Sequence, residues 1–269
     1  MASSSSNTLP TLERKEVALT CPTHGAVVAQ VFKLYGDWSK PSCPTCDAEI
    51  KAEKEQKAQY HELRSQQQAN QRALESRIRR SLIPPRFADR DFSNYCPQSD
   101  AAHKILSECR HYAEQFPAHF AKGTSMIFCG HAGTGKSHLA CAIANHVMGL
   151  HDKTALYMKA AKAIRMVKDT YGKKSSQSEQ EAINWFRTPD LLILDEIGVQ
   201  FGTEVERYIM FEIINERYEQ LKPTIMLSNL AINGLIECAG ERTIDRMKEN
   251  GGKMLTFNWQ SYRGVRTDA

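Results

Sequence analysis

Residues 130–137 read GHAGTGKS, a complete G-x-x-x-x-G-K-S motif that follows the apolar run SMIFCG and opens the helical run HLACAIANHVM. Glycines at 130, 133 and 135 let a backbone turn tightly and aim its amides inward, and a helix N-terminus directly behind them adds a positive dipole end. Such a loop suits phosphate oxygens. Lys136 is expected to reach the β- and γ-phosphates of ATP, and the Ser137 hydroxyl to hold Mg²⁺. The expected nucleotide-binding set is Gly130, Ala132, Gly133, Thr134, Gly135, Lys136, Ser137 and His138. A chance glycine turn is the alternative, and the full motif between a strand and a helix weighs against it. Downstream, LLILDE (191–196) is an apolar run that delivers two carboxylates to the end of a strand, where open α/β sheets bind ligands. Asp195 is placed for the Mg²⁺ shell and Glu196 to orient or deprotonate an attacking water. The run TIMLSN (224–229) ends in Asn229, whose amide is placed to hold the same water.

A different chemistry stands near the N-terminus. Cys21-x-x-His24 and Cys43-x-x-Cys46 are two ligand pairs, each with a proline directly after its first cysteine. Thiolate and imidazole donors in two such knuckles suit tetrahedral Zn²⁺, and a region this small needs a metal in place of an apolar core. Free thiols beside an ordinary surface histidine are the alternative. Cys96, Cys109, Cys129, Cys141 and Cys238 are scattered and read as reduced thiols, as in a cytosolic protein.

These residues need elements to position them. Strand-like runs at 125–130, 154–159, 191–196, 224–229 and 254–258 alternate with helical stretches. That pattern predicts an α/β domain built on a mainly parallel five-stranded sheet flanked by helices. An amphipathic helix is expected at about 98–116, ahead of the first of these strands. Residues 1–16 open Ser-rich and polar and read as a disordered tail; 17–50 form the small β-rich zinc-binding module. From Ala48 to about Ser81 the chain is Ala, Glu, Lys, Gln and Arg without Gly or Pro, a long polar helix that the pair Pro84-Pro85 must end. The expected domains are therefore 1–16, 17–50, a basic linker helix over 51–82, and the ATPase over 83–269.

Charge sharpens this division. The net +4 comes entirely from residues 51–90, with 10 Lys/Arg against 5 Asp/Glu, while residues 91–269 balance at 21 against 21. The helix carrying the excess is either a solvated spacer or, at Arg72, Arg77, Arg79 and Arg80, a contact for single-stranded DNA or a protein. No apolar run approaches the ~18 residues that a membrane span needs, and the N-terminus lacks the pattern of a secretory signal, so a cytoplasmic protein without membrane contact is expected.

With the three strand ends in place, the chain resembles the AAA+ ATPases and more narrowly the DnaC-like helicase loaders, relatives of the IstB transposition ATPases. The resemblance covers residues 80–265. It rests on IPPRFADRDFSNY (83–95), GHAGTGKSHLACAIAN, LLILDEIG, the Ser-Asn before Leu230, ERTIDRMKENGG (241–252) and FNWQSYR (257–263). It implies self-association through the AAA+ domain, with Arg246 donated as an arginine finger to a neighbour's γ-phosphate and Arg242 as its companion. It also implies that Arg263 contacts nucleotide from the C-terminal side. The N-terminal module departs from the largely helical N-terminal region of the plainest members and looks like the zinc-binding domain with which some loaders grip the replicative DNA helicase. The implied activity is ATP-dependent helicase loading with single-stranded DNA as a partner. Two alternatives stay open: an IstB-like transposition ATPase on double-stranded DNA, and a helicase-binding adaptor or inhibitor without turnover. The Asp195-Glu196 pair speaks against the last.

Overall fold

The computed structural model describes residues 13–34, 36–172, 176–198 and 203–262, and the chain divides into two compact units, Met1–Asn70 and Gln71–Ala269. In the first unit, β1 (Arg14–Cys21) and β2 (Gly25–Leu34) form an antiparallel hairpin with Cys21 opposite Gly25, and the short β3 (Asp37–Trp38) adds to β2. Strand β1 thus begins inside the stretch expected as a tail, because Arg14, Lys15 and Glu16 find ladder partners in Phe32, Val31 and Gln30. Residues 1–12 lie outside the described residues.

Helix α1 (Pro44–Arg80) runs for 37 residues and buries none of its side chains. It starts within the expected zinc module, since Pro44 at the first helical position lacks only an amide that would have no partner there. With no buried face, α1 draws on helix propensity and on pairs such as Glu53–Lys57 at 2.6 Å. Its last ten residues belong to the second unit.

In the second unit the helix expected at about 98–116 is α2 (Asp100–Glu114), and a second helix, α3 (Phe116–Lys122), follows it after a break where Pro117 cannot continue the hydrogen-bond ladder. Ser99 caps α2 by accepting from the Ala102 amide. Then follow β4 (Met126–Gly130), α4 (Lys136–Leu150), β5 (Ala155–Lys159), α5 (Ala160–Lys168) and α6 (Glu179–Arg187). The remainder is β6 (Leu191–Ile197), α7 (Glu204–Glu219), β7 (Thr224–Ser228), α8 (Ile232–Ala239), α9 (Glu241–Lys248) and β8 (Lys253–Phe257). All five strand-like runs are strands of one sheet, in the order β5-β6-β7-β4-β8 with every pairing parallel.

The sheet is buried on both faces, so its strands are apolar throughout and feed alternate residues to opposite sides. Met126, Phe128, Ile193, Ile225 and Leu227 enter one core with α2 and α4, while Ile127, Leu192, Leu194 and Met226 enter the other with α5 to α9. This sandwich fixes β4, β6 and β7 side by side, which brings their C-terminal ends to one place. Among the described residues no helix is long and apolar enough to cross a membrane.

Candidate active site

The phosphate loop leaves the end of β4 and turns into α4. Gly130 has φ +123°, and a Cβ there would lie 2.2 Å from the Phe257 carbonyl oxygen, so the close approach of β8 admits only glycine. Gly135, at φ +95°, likewise leaves no room beside the Tyr95 ring. Lys136 is 6% exposed, and its ammonium donates to the carbonyl oxygens of Gly130 at 2.8 Å and His131 at 2.6 Å. The loop is braced from outside: Tyr95 hydroxyl donates to the Thr134 carbonyl at 3.2 Å, and the Tyr262 amide to the Gly133 carbonyl at 2.9 Å. His138 meets the Asp91 carbonyl at 3.1 Å through Nε2.

The two expected magnesium ligands meet across the site, with Ser137 Oγ donating to Asp195 Oδ2 at 2.8 Å. A hydroxyl and a buried carboxylate at that separation, next to a lysine on a glycine loop, fit a magnesium–nucleotide phosphate. The buried Tyr157 hydroxyl also donates to Asp195 Oδ2, and burial pushes that phenol far up, so it remains a donor. Between Leu194 and Ile197 the β6–β7 register slips: three residue steps on β6 oppose two on β7. Glu196 sits in this bulge at φ 59°, a left-handed conformation that costs a non-glycine residue about 1 kcal/mol. The bulge sends the two adjacent carboxylates in different directions, Asp195 toward Ser137 and Glu196 toward Lys159, whose ammonium donates to Glu196 Oε1 at 2.8 Å.

Asn229 stands exposed immediately past β7, while its neighbour Ser228 is the residue that pins the strand end, donating to the Ile197 carbonyl at 2.7 Å. Arg242 and Arg246 lie one turn apart on α9, Arg242 exposed and Arg246 half-buried. Arg263 falls outside the described residues. Of the basic residues at the end of α1, Arg77 is engaged with Asp152 at 2.8 Å.

In the N-terminal unit the four expected zinc ligands converge. Cys21 ends β1, His24 lies in the hairpin turn, and Cys43 and Cys46 flank the start of α1. Their ligand atoms all lie within 4.8 Å of one another. His24 Nδ1 stands 3.8, 3.6 and 3.3 Å from the sulfurs of Cys21, Cys43 and Cys46, and Cys21 and Cys46 are 3.5 Å apart. A zinc tetrahedron with Zn–S of about 2.3 Å has edges of about 3.8 Å, so the donor set fits that ion. The amides of His24 and Thr23 hold the Cys21 thiol down to about 6, toward the thiolate a metal requires. His24 Nε2 faces Glu49 Oε1 at 3.3 Å, which leaves Nδ1 for a metal.

Sequence comparison follows the same architecture. The model of the IstB-like ATP binding protein family matches residues 49–248. The chain belongs to the IstB-like ATP-binding family. It is accordingly an AAA+ ATPase with a P-loop. The replicative helicase loader DnaC of Escherichia coli (strain K12) is 33% identical to this IstB-like chain over 239 residues, covering 89% of the chain and 95% of that protein. The same-named protein of Buchnera aphidicola subsp. Schizaphis graminum is 38% identical over 184 residues, 68% of this chain and 73% of the relative. A crystal structure of the DnaC helicase loader superposes with TM-score 0.58 at 20% identity, covering 64% of this chain and 99% of that one, a likeness of fold.

Sequence reasoning missed five residues of this IstB-like ATPase: Tyr157, Lys159, Tyr95 and Glu49, which act through their side chains, and Tyr262, which acts through its amide. A signal existed for the first two. Tyr157 and Lys159 are two apart on β5 and so share one face, and Lys159 pairs in register with Asp195. A tyrosine and a lysine at the end of an otherwise apolar central run had no other evident reason to be there. Tyr95 and Tyr262 reach the loop only through the tertiary fold, from 39 and 129 residues away from Thr134 and Gly133 respectively.

Proposed function

We propose that the chain loads a replicative DNA helicase in an ATP-dependent manner during DNA replication, in the cytoplasm. The observation that carries this reading is the likeness to DnaC over 89% of the chain, joined to a phosphate loop whose Ser137 meets Asp195 at 2.8 Å. In this reading the 130–137 loop takes ATP, with Lys136 on the β- and γ-phosphates and Ala132, Thr134 and His138 beside them. Ser137 and Asp195 would hold Mg²⁺, which when bound supplies positive charge to the β- and γ-phosphate oxygens. Glu196 takes the proton of the attacking water and Asn229 orients it.

Arg246 of one copy completes the site of a neighbouring copy, because the charge that spreads over the transferred phosphoryl group needs a cation from outside the loop. Arg242 is its companion, and Arg263, which lies outside the described residues, would contact nucleotide from the C-terminal side. Hydrolysis then depends on self-association, and ATP acts as a switch by favouring the assembled loader over its dispersed form.

The N-terminal unit is the helicase grip. Cys21, His24, Cys43 and Cys46 would hold Zn²⁺, which supplies a structural cross-link. Val28 and Phe32 stand exposed on one face of β2, with Trp38 exposed nearby on β3, apolar surface that suits a protein partner. The exposed arginines 72, 79 and 80 lend charge for single-stranded DNA. The test is deposition of the replicative helicase on single-stranded DNA circles by the full chain with ATP. Deposition should require the chain and disappear with Lys136→Ala. A chain that ignores the helicase, and whose ATP turnover answers only to double-stranded DNA, would be a transposition ATPase instead.

A further inference from the structure

Helix α9 packs on α7, and their contact is lined by an aromatic and arginine ladder. Phe211 and Tyr218 are seven residues apart on α7 and therefore lie two turns along one face; Arg242 and Arg246 are one turn apart on α9. The Arg246 guanidinium carbon lies over the Phe211 ring at 4.6 Å from its centroid and over the Tyr218 ring at 5.3 Å. Arg242 lies over Phe211 at 5.7 Å. The Tyr218 hydroxyl donates to Glu249, which anchors that ring just beyond the end of α9.

Among the described residues no carboxylate lies within ion-pair distance of Arg246, although its charge is felt by Glu212 on α7, and its buried Nη1 finds no acceptor. This is an unusual state for a half-buried guanidinium, whose donors are expensive to leave unmade. The rings engage its face by cation–π attraction and leave the edge donors directed at no internal partner. A carboxylate in the same place would hold the side chain equally well but would occupy those donors, and an aliphatic residue would fill the space without attracting the charge.

We propose that Phe211 and Tyr218 are positioning residues for Arg246: they hold its guanidinium by the face so that the donors on its solvent-reaching side, not the buried Nη1, are presented to a phosphate of the neighbouring copy. This rests on the reading of Arg246 as the finger. The device lowers the side-chain entropy lost when a long flexible residue is immobilised on its target, which is the usual gain from preorganisation. Tyr218 has the second task of fixing its own ring through Glu249.

Mixed assemblies of full-length chains place the effect in one subunit. A donor carrying Lys136→Ala supplies a finger but cannot use its own loop; an acceptor carrying Arg246→Ala has a working loop and no finger. Their mixture, with co-assembly shown by mass, should recover ATP turnover that neither has alone. Phe211→Leu in the donor should lower that turnover about tenfold, equivalent to about 1.4 kcal/mol, within the range of a desolvated cation–π contact. The same change in the acceptor has no finger to misplace and should lower it no further. Phe211→Tyr in the donor keeps the ring and should keep the rate, whereas Tyr218→Phe keeps the ring but loses its anchor on Glu249 and should lower the rate less than Phe211→Leu does. Equal loss in both placements would mean a packing role and overturn the proposal, as would an unchanged rate in the donor. A parent mixture that assembles without recovering turnover would overturn the finger reading itself and this proposal with it, an outcome distinct from the other two.

Discussion

The two units of the chain solve the problem of holding chemistry in place by opposite means. The ATPase unit encloses its sheet between two apolar cores, and the site residues are carried on strand ends that those cores fix. In the N-terminal unit the described residues that are buried number four, Cys21, Ala29, Val31 and Cys43, and two of these belong to the Cys/His cluster. Two small apolar side chains contribute a few kcal/mol at about 25 cal/mol per Å². Ordering the backbone costs about 1–2 kcal/mol for every residue. With so little apolar burial, the first unit would need a metal on its Cys/His cluster as its core, whereas the polar site of the second is a passenger on a core made elsewhere.

Removing the metal is the strongest way to break that comparison. Structural zinc contributes about 10–16 kcal/mol in small zinc-dependent modules near neutral pH. Chelation, or Cys43→Ser, should release one zinc per chain, abolish the β signal of the hairpin in circular dichroism and eliminate helicase binding. ATP affinity should remain within about twofold of the starting value, since nothing in the phosphate loop draws on those ligands. A module that keeps its fold without metal would remove the distinction between the units.

The converse experiment acts on the ATPase unit alone. Arg217 on α7 is fully buried and donates to the carbonyls of Phe186, Pro189, Asp190 and Pro223 and to Thr224 Oγ1. It ties the chain entering β6 to the chain entering β7, the two strands that deliver the acidic pair and Asn229. Arg217→Met keeps volume but strands these acceptors, at about 1–3 kcal/mol for each that water cannot reach. The urea midpoint of the ATPase unit should fall by an amount equivalent to about 3–5 kcal/mol, with zinc content unchanged. Loss of zinc in this variant would show that the units do not stand apart.

The difference also explains how much was legible in the sequence. A phosphate loop and an acidic strand end are contiguous in the chain, so their chemistry and their elements could be read together, and all five sheet strands were visible as short apolar runs. The convergence of Cys21, His24, Cys43 and Cys46 was legible because proline-bearing knuckles carry their own local geometry. What stayed hidden is long-range. No local pattern says that Tyr95 and Tyr262 brace the loop or that α9 lays Arg246 on two rings of α7. The helix expected over about 98–116 was legible as α2, but the short α3 that follows it, with Pro117 in its first turn, was not. The bulge at Asp195-Glu196 was invisible for another reason: it arises from register with β7, which an isolated strand does not reveal.

The smallest effect concerns two carboxylate–cation pairs that look alike and differ in purpose. Glu49 faces His24 at 3.3 Å and fixes a ring that a metal would hold permanently, whereas Lys159 holds Glu196 at 2.8 Å, and Glu196 would have to be released to serve as the proposed base. The pair holds Glu196 toward Lys159 and so away from Ser137 and the loop. Lys159 is 54% and Glu196 43% exposed, so solvent screens the pair and limits it to the ~0.2–1 kcal/mol of an exposed contact. Lys159→Met should therefore raise the ATP turnover of unassembled chains by a few-fold, measured as initial phosphate release at a concentration below assembly. Lys159→Arg keeps the cation and should leave it unchanged. A fall in turnover with Met would instead make Lys159 an aid to the reaction, and the ATPase site would then be as statically arranged as the metal cluster.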